Sequence, residues 1–288
     1  MRELSKVGRI SALSTILMMA IGIFELVVGF VTGSLGLVGD GVDSFADAAT
    51  SLVVWIGLRL SKRDPDAKYH FGYFKAKTLY SMLGAIIIAG VGLVVMYESY
   101  TTLSIVRELK YGSFAMVTAL IATTISTVML VYKIRMARSL GLLSMKAVVN
   151  SATDSLSSIT AFLGVTLADQ FGIIQFDSIV GIVIGVFVLV SSYMIIKESS
   201  LVLMDACSCH DIRDDLEMAA KSVPGVKGVN RVRLRKLGSY IVGDIVLVVD
   251  GRISVEEANG ISENVEVEAK KLFDDIHEIV VKFEPSKD

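Results

Sequence analysis

Two cysteines, three prolines, three histidines and one tryptophan are all that 288 residues hold of these types. Two cysteines cannot build a disulfide framework. With so few histidines there is no His-Glu-x-x-His metalloprotease motif, and Gly-x-Ser-x-Gly is absent too, so the familiar hydrolase signatures are missing. A net charge of -2 is too balanced for a nucleic-acid binder. Apolar residues, by contrast, are plentiful. The chain is 53% hydrophobic, its mean hydropathy is +0.63, and that is too high for a soluble protein of this length. A polytopic membrane protein is expected.

A bilayer core of about 30 Å needs roughly 20 apolar residues per helix. Six segments qualify: about 10–31, 37–59, 78–99, 112–133, 144–168 and 177–197. Basic residues set their orientation. The N-terminal tail, the second connection and the fourth connection hold thirteen Lys and Arg: Arg2, Lys6, Arg9; Arg59, Lys62, Arg63, Lys68, Lys75, Lys77; and Lys133, Arg135, Arg138, Lys146. The other three connections hold two, Arg107 and Lys110. Both termini are therefore expected in the cytoplasm of a multi-pass protein of the cell membrane. The first segment is too long for a cleaved signal peptide.

After Lys197 the chain turns charged and amphipathic. Division into a six-helix membrane domain, 1–205, and a cytoplasmic domain, 206–288, is expected. In the second, Asp211–Val223 reads as a helix, Pro224–Gly225 as a turn, and Gly228–Lys236 with Tyr240–Asp250 as a hairpin joined at Gly238–Ser239. Ser254-x-x-Glu257 is a capping box opening a helix to about Phe273. His277–Phe283 closes as a third strand, giving an αββαβ α+β domain of ferredoxin-like or metallochaperone-like layout.

Chemistry enters through acids where lipid is expected. Asp43 and Asp47 interrupt the second segment, Asn150 and Asp154 the fifth, and each pair is spaced i, i+4 on one helix face. An ionised carboxylate inside a bilayer costs several kcal/mol unless paired or bound to a cation. The basic residues lie in connections or at segment ends, so none is counted as a partner inside. Gly, Ala, Ser and Thr surround both pairs and favour close helix approach. Three carboxylates and an amide from two antiparallel helices make an oxygen-rich cage for a divalent metal. Tilt or offset is needed to bring all four together. Hydrogen bonding between packed helices is the bland alternative. Asp40, three residues before Asp43, and Glu25 in the first segment are open between proton relay, support of the metal site and helix packing.

These residues resemble the cation diffusion facilitator (cation efflux) family. The resemblance covers essentially the whole chain. It rests on Ser34-Leu-x-x-x-x-Asp40-x-x-Asp43-x-x-x-Asp47, Asn150-x-x-x-Asp154-Ser-x-Ser-Ser, Phe71-Gly-x-x-Lys75, Asp177 and Leu203-Met-Asp205. It implies a homodimeric carrier in membrane lipid that exports divalent metal against incoming protons, with Asp43, Asp47, Asn150 and Asp154 as transport site and no resident cofactor. Zinc-selective members tend to have histidine in these pairs. An all-oxygen set favours harder ions, so Mn²⁺ is expected first, then Fe²⁺ or Zn²⁺.

By the same resemblance Lys75 and Asp205 form an interlock, which Arg235 can join; positive-inside anchoring and a helix-end acid explain the first two equally well. The loop's second metal site is not expected, because Tyr69 and Tyr73 stand where histidines would be and His70 is displaced by one. Nor is a zinc cluster on the strands, where Asn230, Val246, Lys282 and Glu284 take the matching positions. Cys207-Ser-Cys209-His210 has soft-ligand chemistry just after the sixth segment, against the plainer reading of linker thiols. A metal sensor or scaffold of the same fold, and a metal-dependent intramembrane enzyme, are the competing functions.

Overall fold

The computed structural model describes residues 2–60, 66–105, 109–140, 145–207, 209–238, 240–273 and 276–286; within these, side chains at 2–14, 51, 54–55, 57–59, 136–140 and 145–150 are not described. Two compact units divide the chain: Met1–Ile56 with Ser81–Ile196, and Gly57–Tyr80 with Lys197–Asp288.

Six long helices account for the apolar segments: α1 (Arg2–Thr32), α2 (Leu35–Leu60), α3 (Ala76–Thr102), α4 (Gly112–Leu140), α5 (Met145–Phe171) and α6 (Gln175–Leu203). Among the described residues four are long and apolar enough to cross a membrane, through Thr15–Thr32, Ala76–Thr102, Gly112–Arg135 and Gln175–Leu203. The two others, α2 and α5, are the helices that carry the acid pairs. The chain is a multi-pass membrane protein.

Small residues set the helix contacts in the first unit. A methyl group at Gly22 of α1 would lie 2.8 Å from the Phe45 backbone nitrogen, and one at Gly41 of α2 2.8 Å from the Leu26 nitrogen. Only glycine admits that approach of two backbones, and it draws α1 against the acid-bearing stretch of α2. Small apolar clusters fill the rest, Val38, Val42, Val95, Ala161, Ile184 and Val188 in one and Val28, Leu37, Ala115, Ala119 and Val165 in the other. Large apolar side chains such as Phe30, Ile87 and Tyr193 point outward, as lipid requires.

The start of α2 is capped from a distant helix. Asp177, fully buried in the first turn of α6, accepts from the Ser34 hydroxyl at 2.6 Å, the Leu35 amide at 2.8 Å and the Gly36 amide at 3.2 Å. The two amides are among the donors that a helix N-terminus leaves without partners. The negative charge also suits the positive end of the helix dipole.

In the second unit, α7 (His210–Ser222), β1 (Gly228–Leu237), β2 (Tyr240–Val249), α8 (Val255–Leu272) and β3 (Ile276–Pro285) give the αββαβ order expected. β1 and β2 pair antiparallel, β2 and β3 parallel, in the sheet order β1-β2-β3. The parallel pair needs a crossover, which α8 supplies. One sheet face and both helices bury Leu216, Ala220, Ile245, Leu247, Ile261, Val265 and Ala269. The Ser254–Glu257 capping box forms in full.

Candidate metal-transport site

Asp40, Asp43 and Asp47 sit at i, i+3 and i+7, one stripe of α2. The facing stripe of α5 presents Asp154, Ser157 and Ser158. Ser158 Oγ donates to Asp40 Oδ1 at 3.2 Å. Ser157 lies against both Asp40 and Asp43. One turn further, Asp154 adjoins Asp47, with Asp43 within electrostatic reach. The two polar stripes thus run antiparallel, and Asp47 and Asp154 are neighbours. Asp43 is 9% exposed, while Asp47 and Asp154 are half-buried. Asn150 lies in α5, one turn before Asp154, and its side chain is outside the described residues. Among the described residues no three acids, histidines or cysteines close around a single point.

Asp40 and Glu25 form a deeper layer. Asp40 is 1% exposed and Glu25 fully buried. Glu25, on α1, lies beside Asp40 and Ser44. Asp40 has the serine partner that helix packing calls for, and Ser158 in turn meets Ser126 of α4 at 3.2 Å. Neither Glu25 oxygen, nor Asp40 Oδ2, has a hydrogen-bond donor among the described residues. Glu25 and Asp40 are thereby adjacent to one another, behind Asp43.

One residue corrects the reading that no basic side chain serves the site from inside. Lys133 belongs to α4, donates from Nζ to Ser151 Oγ at 2.5 Å, and its charge reaches Asp154. In sequence it looks like one more positive residue of a connection, and only the α4–α5 register brings it inward.

In the second unit, Lys75 Nζ meets Asp205 Oδ1 at 2.6 Å and Arg235 Nη1 meets Asp205 Oδ2 at 3.2 Å. The Lys75 hydrogen bond, ahead of the Arg235 contact, holds the Asp205 carboxyl below its ordinary range. Asp205 has φ 62°, left-handed for a residue that is not glycine. It closes α6 in a Schellman turn, with Ala206 N donating to Leu201 O at 2.9 Å and Asp205 N to Val202 O at 3.2 Å.

The sulfurs of Cys207 and Cys209 lie side by side just before α7, and His210 stands exposed at its start. The strand positions hold polar pairing, Asn230 Nδ2 donating to Glu284 Oε2 at 2.7 Å, while Val246 is buried in register with Lys282. Asp66 is taken up by its own loop. Its Oδ1 accepts from the Lys68 and Tyr69 amides at 2.8 Å, and the Tyr73 hydroxyl donates to its other oxygen. His277 packs its ring against Phe74 and Tyr240.

The sequence model of the cation efflux transmembrane domain matches residues 11–204, and that of the cation efflux protein cytoplasmic domain matches residues 209–286. The chain belongs to the cation efflux family. Members of this family are transporters and not enzymes. Manganese efflux system protein MneS of Bacillus subtilis is 28% identical over 250 residues, 86% of this chain and 85% of that protein. Manganese efflux system protein MneP of the same organism is 25% identical over 97% of this chain and 95% of its own length. Metal cation efflux system protein CzcD of Cupriavidus metallidurans is 27% identical over 91% and 82%. A solved C-terminal domain of a MamM variant is 31% identical over 27% of this chain and 94% of that domain, with a TM-score of 0.26.

Proposed function

We propose that this cation efflux protein exports Mn²⁺ in exchange for protons through Asp43, Asp47, Asn150 and Asp154. The observation that carries the reading is the meeting of Asp47 and Asp154 on facing helices of the membrane unit, with Asp43 in reach. Oxygen is the only donor type these four residues offer, which suits Mn²⁺ ahead of softer ions. The names of two relatives, MneS and MneP, agree with that preference. Binding turns Asp43, Asp47 and Asp154 toward a common point. When metal leaves, neighbouring carboxylates in a low dielectric do not all stay ionised, and protons take its place. Thirteen basic residues on one set of connections against two on the other put both termini in the cytoplasm, in the cell membrane. The C-terminal unit associates with that of a second copy.

Competitive uptake of Mn²⁺, Fe²⁺, Zn²⁺ and Cd²⁺ into reconstituted vesicles, under a fixed proton gradient, tests this. Mn²⁺ should win and its flux should follow the gradient. Combined Asp47→Ala and Asp154→Ala should lower flux by at least a hundredfold while the protein stays folded. Undiminished flux in that double variant would reject the site, and preference for Zn²⁺ would reject the metal.

A further inference from the structure

Three hydroxyl contacts fix how α4 lies along α5. Thr123 Oγ1 donates to the Ser158 carbonyl at 2.8 Å, the Ser126 and Ser158 hydroxyls are 3.2 Å apart, and Lys133 Nζ donates to Ser151 Oγ at 2.5 Å. As the α4 numbers rise the α5 numbers fall, so the helices are antiparallel and Lys133 is level with Ser151. Ser151 is buried and precedes Asp154 by three residues, about 4.5 Å along the same face of α5. The ammonium is therefore held one helical turn from a carboxylate of the transport site, on the side from which, by the basic-residue count, cytoplasmic metal arrives. Interface anchoring leaves this unexplained: a lysine that only anchors a helix end points its head toward the headgroups, and this one is bonded to a buried hydroxyl of the neighbouring helix. Lysine suits a moving role, with three rotatable donors on a flexible four-carbon stem.

We propose that Lys133 is a tethered countercharge of the transport site, resting on Ser151 and passing to Asp154 when no metal is bound. The inference rests on the transport-site reading above. Metal entering must displace the ammonium, which weakens binding. Metal leaving finds a cation ready to replace it, which speeds release. A carrier needs binding weak enough to let its cargo go, and a tethered positive charge beside the site supplies that without changing any ligand.

Mn²⁺ binding to the purified full chain, and Mn²⁺ flux in vesicles, test the proposal with Lys133→Gln, Lys133→Met and Lys133→Arg. Removing one unit charge a helical turn from a divalent ion at intermediate dielectric should tighten Mn²⁺ binding by about tenfold or more. Both neutral variants should show it, with kcat falling as KM falls, and Lys133→Arg should restore weaker binding and faster turnover. Loss of a merely structural contact would lower kcat without tightening binding. Neutral variants that bind Mn²⁺ no tighter than the wild type, or an arginine variant that behaves like glutamine, would overturn the countercharge. Failure of the underlying site looks different: Asp47→Ala with Asp154→Ala would leave Mn²⁺ binding intact, whatever Lys133 does.

Discussion

Where the membrane unit buries Glu25, Asp40, Asp43, Asp177 and a run of serines, the C-terminal unit buries Leu216, Ile245, Leu247 and Val265. Outward, the first unit shows Phe30, Ile87 and Tyr193, while the second shows ion pairs at helical spacing, Lys221–Glu217 and Lys270–Glu266. Water drives the second arrangement, since apolar burial is what holds a small α+β layer together. In lipid there is no such gradient between helix faces, so contacts rest on close approach and on hydrogen bonds. The same observation then means different things in the two units. A buried leucine in the C-terminal layer says only that the layer is folded. A buried carboxylate in the membrane unit needs a reason, and here the reasons divide: Asp177 caps a helix, while Asp43 stands within electrostatic reach of the Asp47–Asp154 contact between two helices.

Substitutions can sharpen that division. The largest stability effect is expected at Asp177. Asp177→Ala leaves the Ser34 hydroxyl and the Leu35 and Gly36 amides without their acceptor, at about 2–4 kcal/mol for buried donors. Thermal unfolding of the detergent-solubilised protein should show a clear drop; an unchanged midpoint would mean the contact is dispensable. Next comes the equivalent loss in water. Ser254→Ala removes an exposed cap and should cost about 1 kcal/mol, with Mn²⁺ flux unaltered. A cost equal to that of Asp177 would erase the contrast between the units.

The smallest effect belongs to the half-exposed ion pairs of Asp205, worth about 0–1 kcal/mol at most. Lys75→Glu should lower flux, and combining it with Asp205→Lys should recover part of it, as a measured double-mutant cycle would show. The pH dependence has a definite sign. A carboxyl held below its ordinary range contributes above its unfolded value, about 3.9, and loses the contribution as pH falls through its folded value. Interlock strength, followed as the flux difference between wild type and Lys75→Glu, should therefore be flat from pH 8 to 5; a decline in that window would exclude Asp205 as the titrating partner.

Much of the architecture is legible in the sequence alone. Hydropathy marks the six long helices, two-residue alternation marks the strands, and Ser254-x-x-Glu257 marks the start of α8. The i, i+4 spacing puts Asp43 with Asp47 on one face, and the family resemblance points to Lys75 and Asp205. Features set by the pairing of distant segments are not legible there. Lys133 reads as a loop residue until α4 is laid against α5, because one-dimensional charge counting has no register. Asp177 stands out in sequence as part of the family pattern, but nothing there shows that its hydrogen bonds go to the start of α2, 141–143 residues earlier.

Asp205 answers to two demands at one position. Its backbone occupies the left-handed turn that ends α6, where glycine or asparagine fits most easily. Its carboxylate must reach Lys75 with one oxygen and Arg235 with the other. Glycine would ease the turn and lose both partners, asparagine would keep the turn and lose the charge, and glutamate would keep the charge on a backbone less tolerant of that φ. Each single change gives up one demand to keep the other. An evolving chain has almost no neighbouring sequence to drift into at this position, although the residue lies on the surface, far from any metal ligand in sequence.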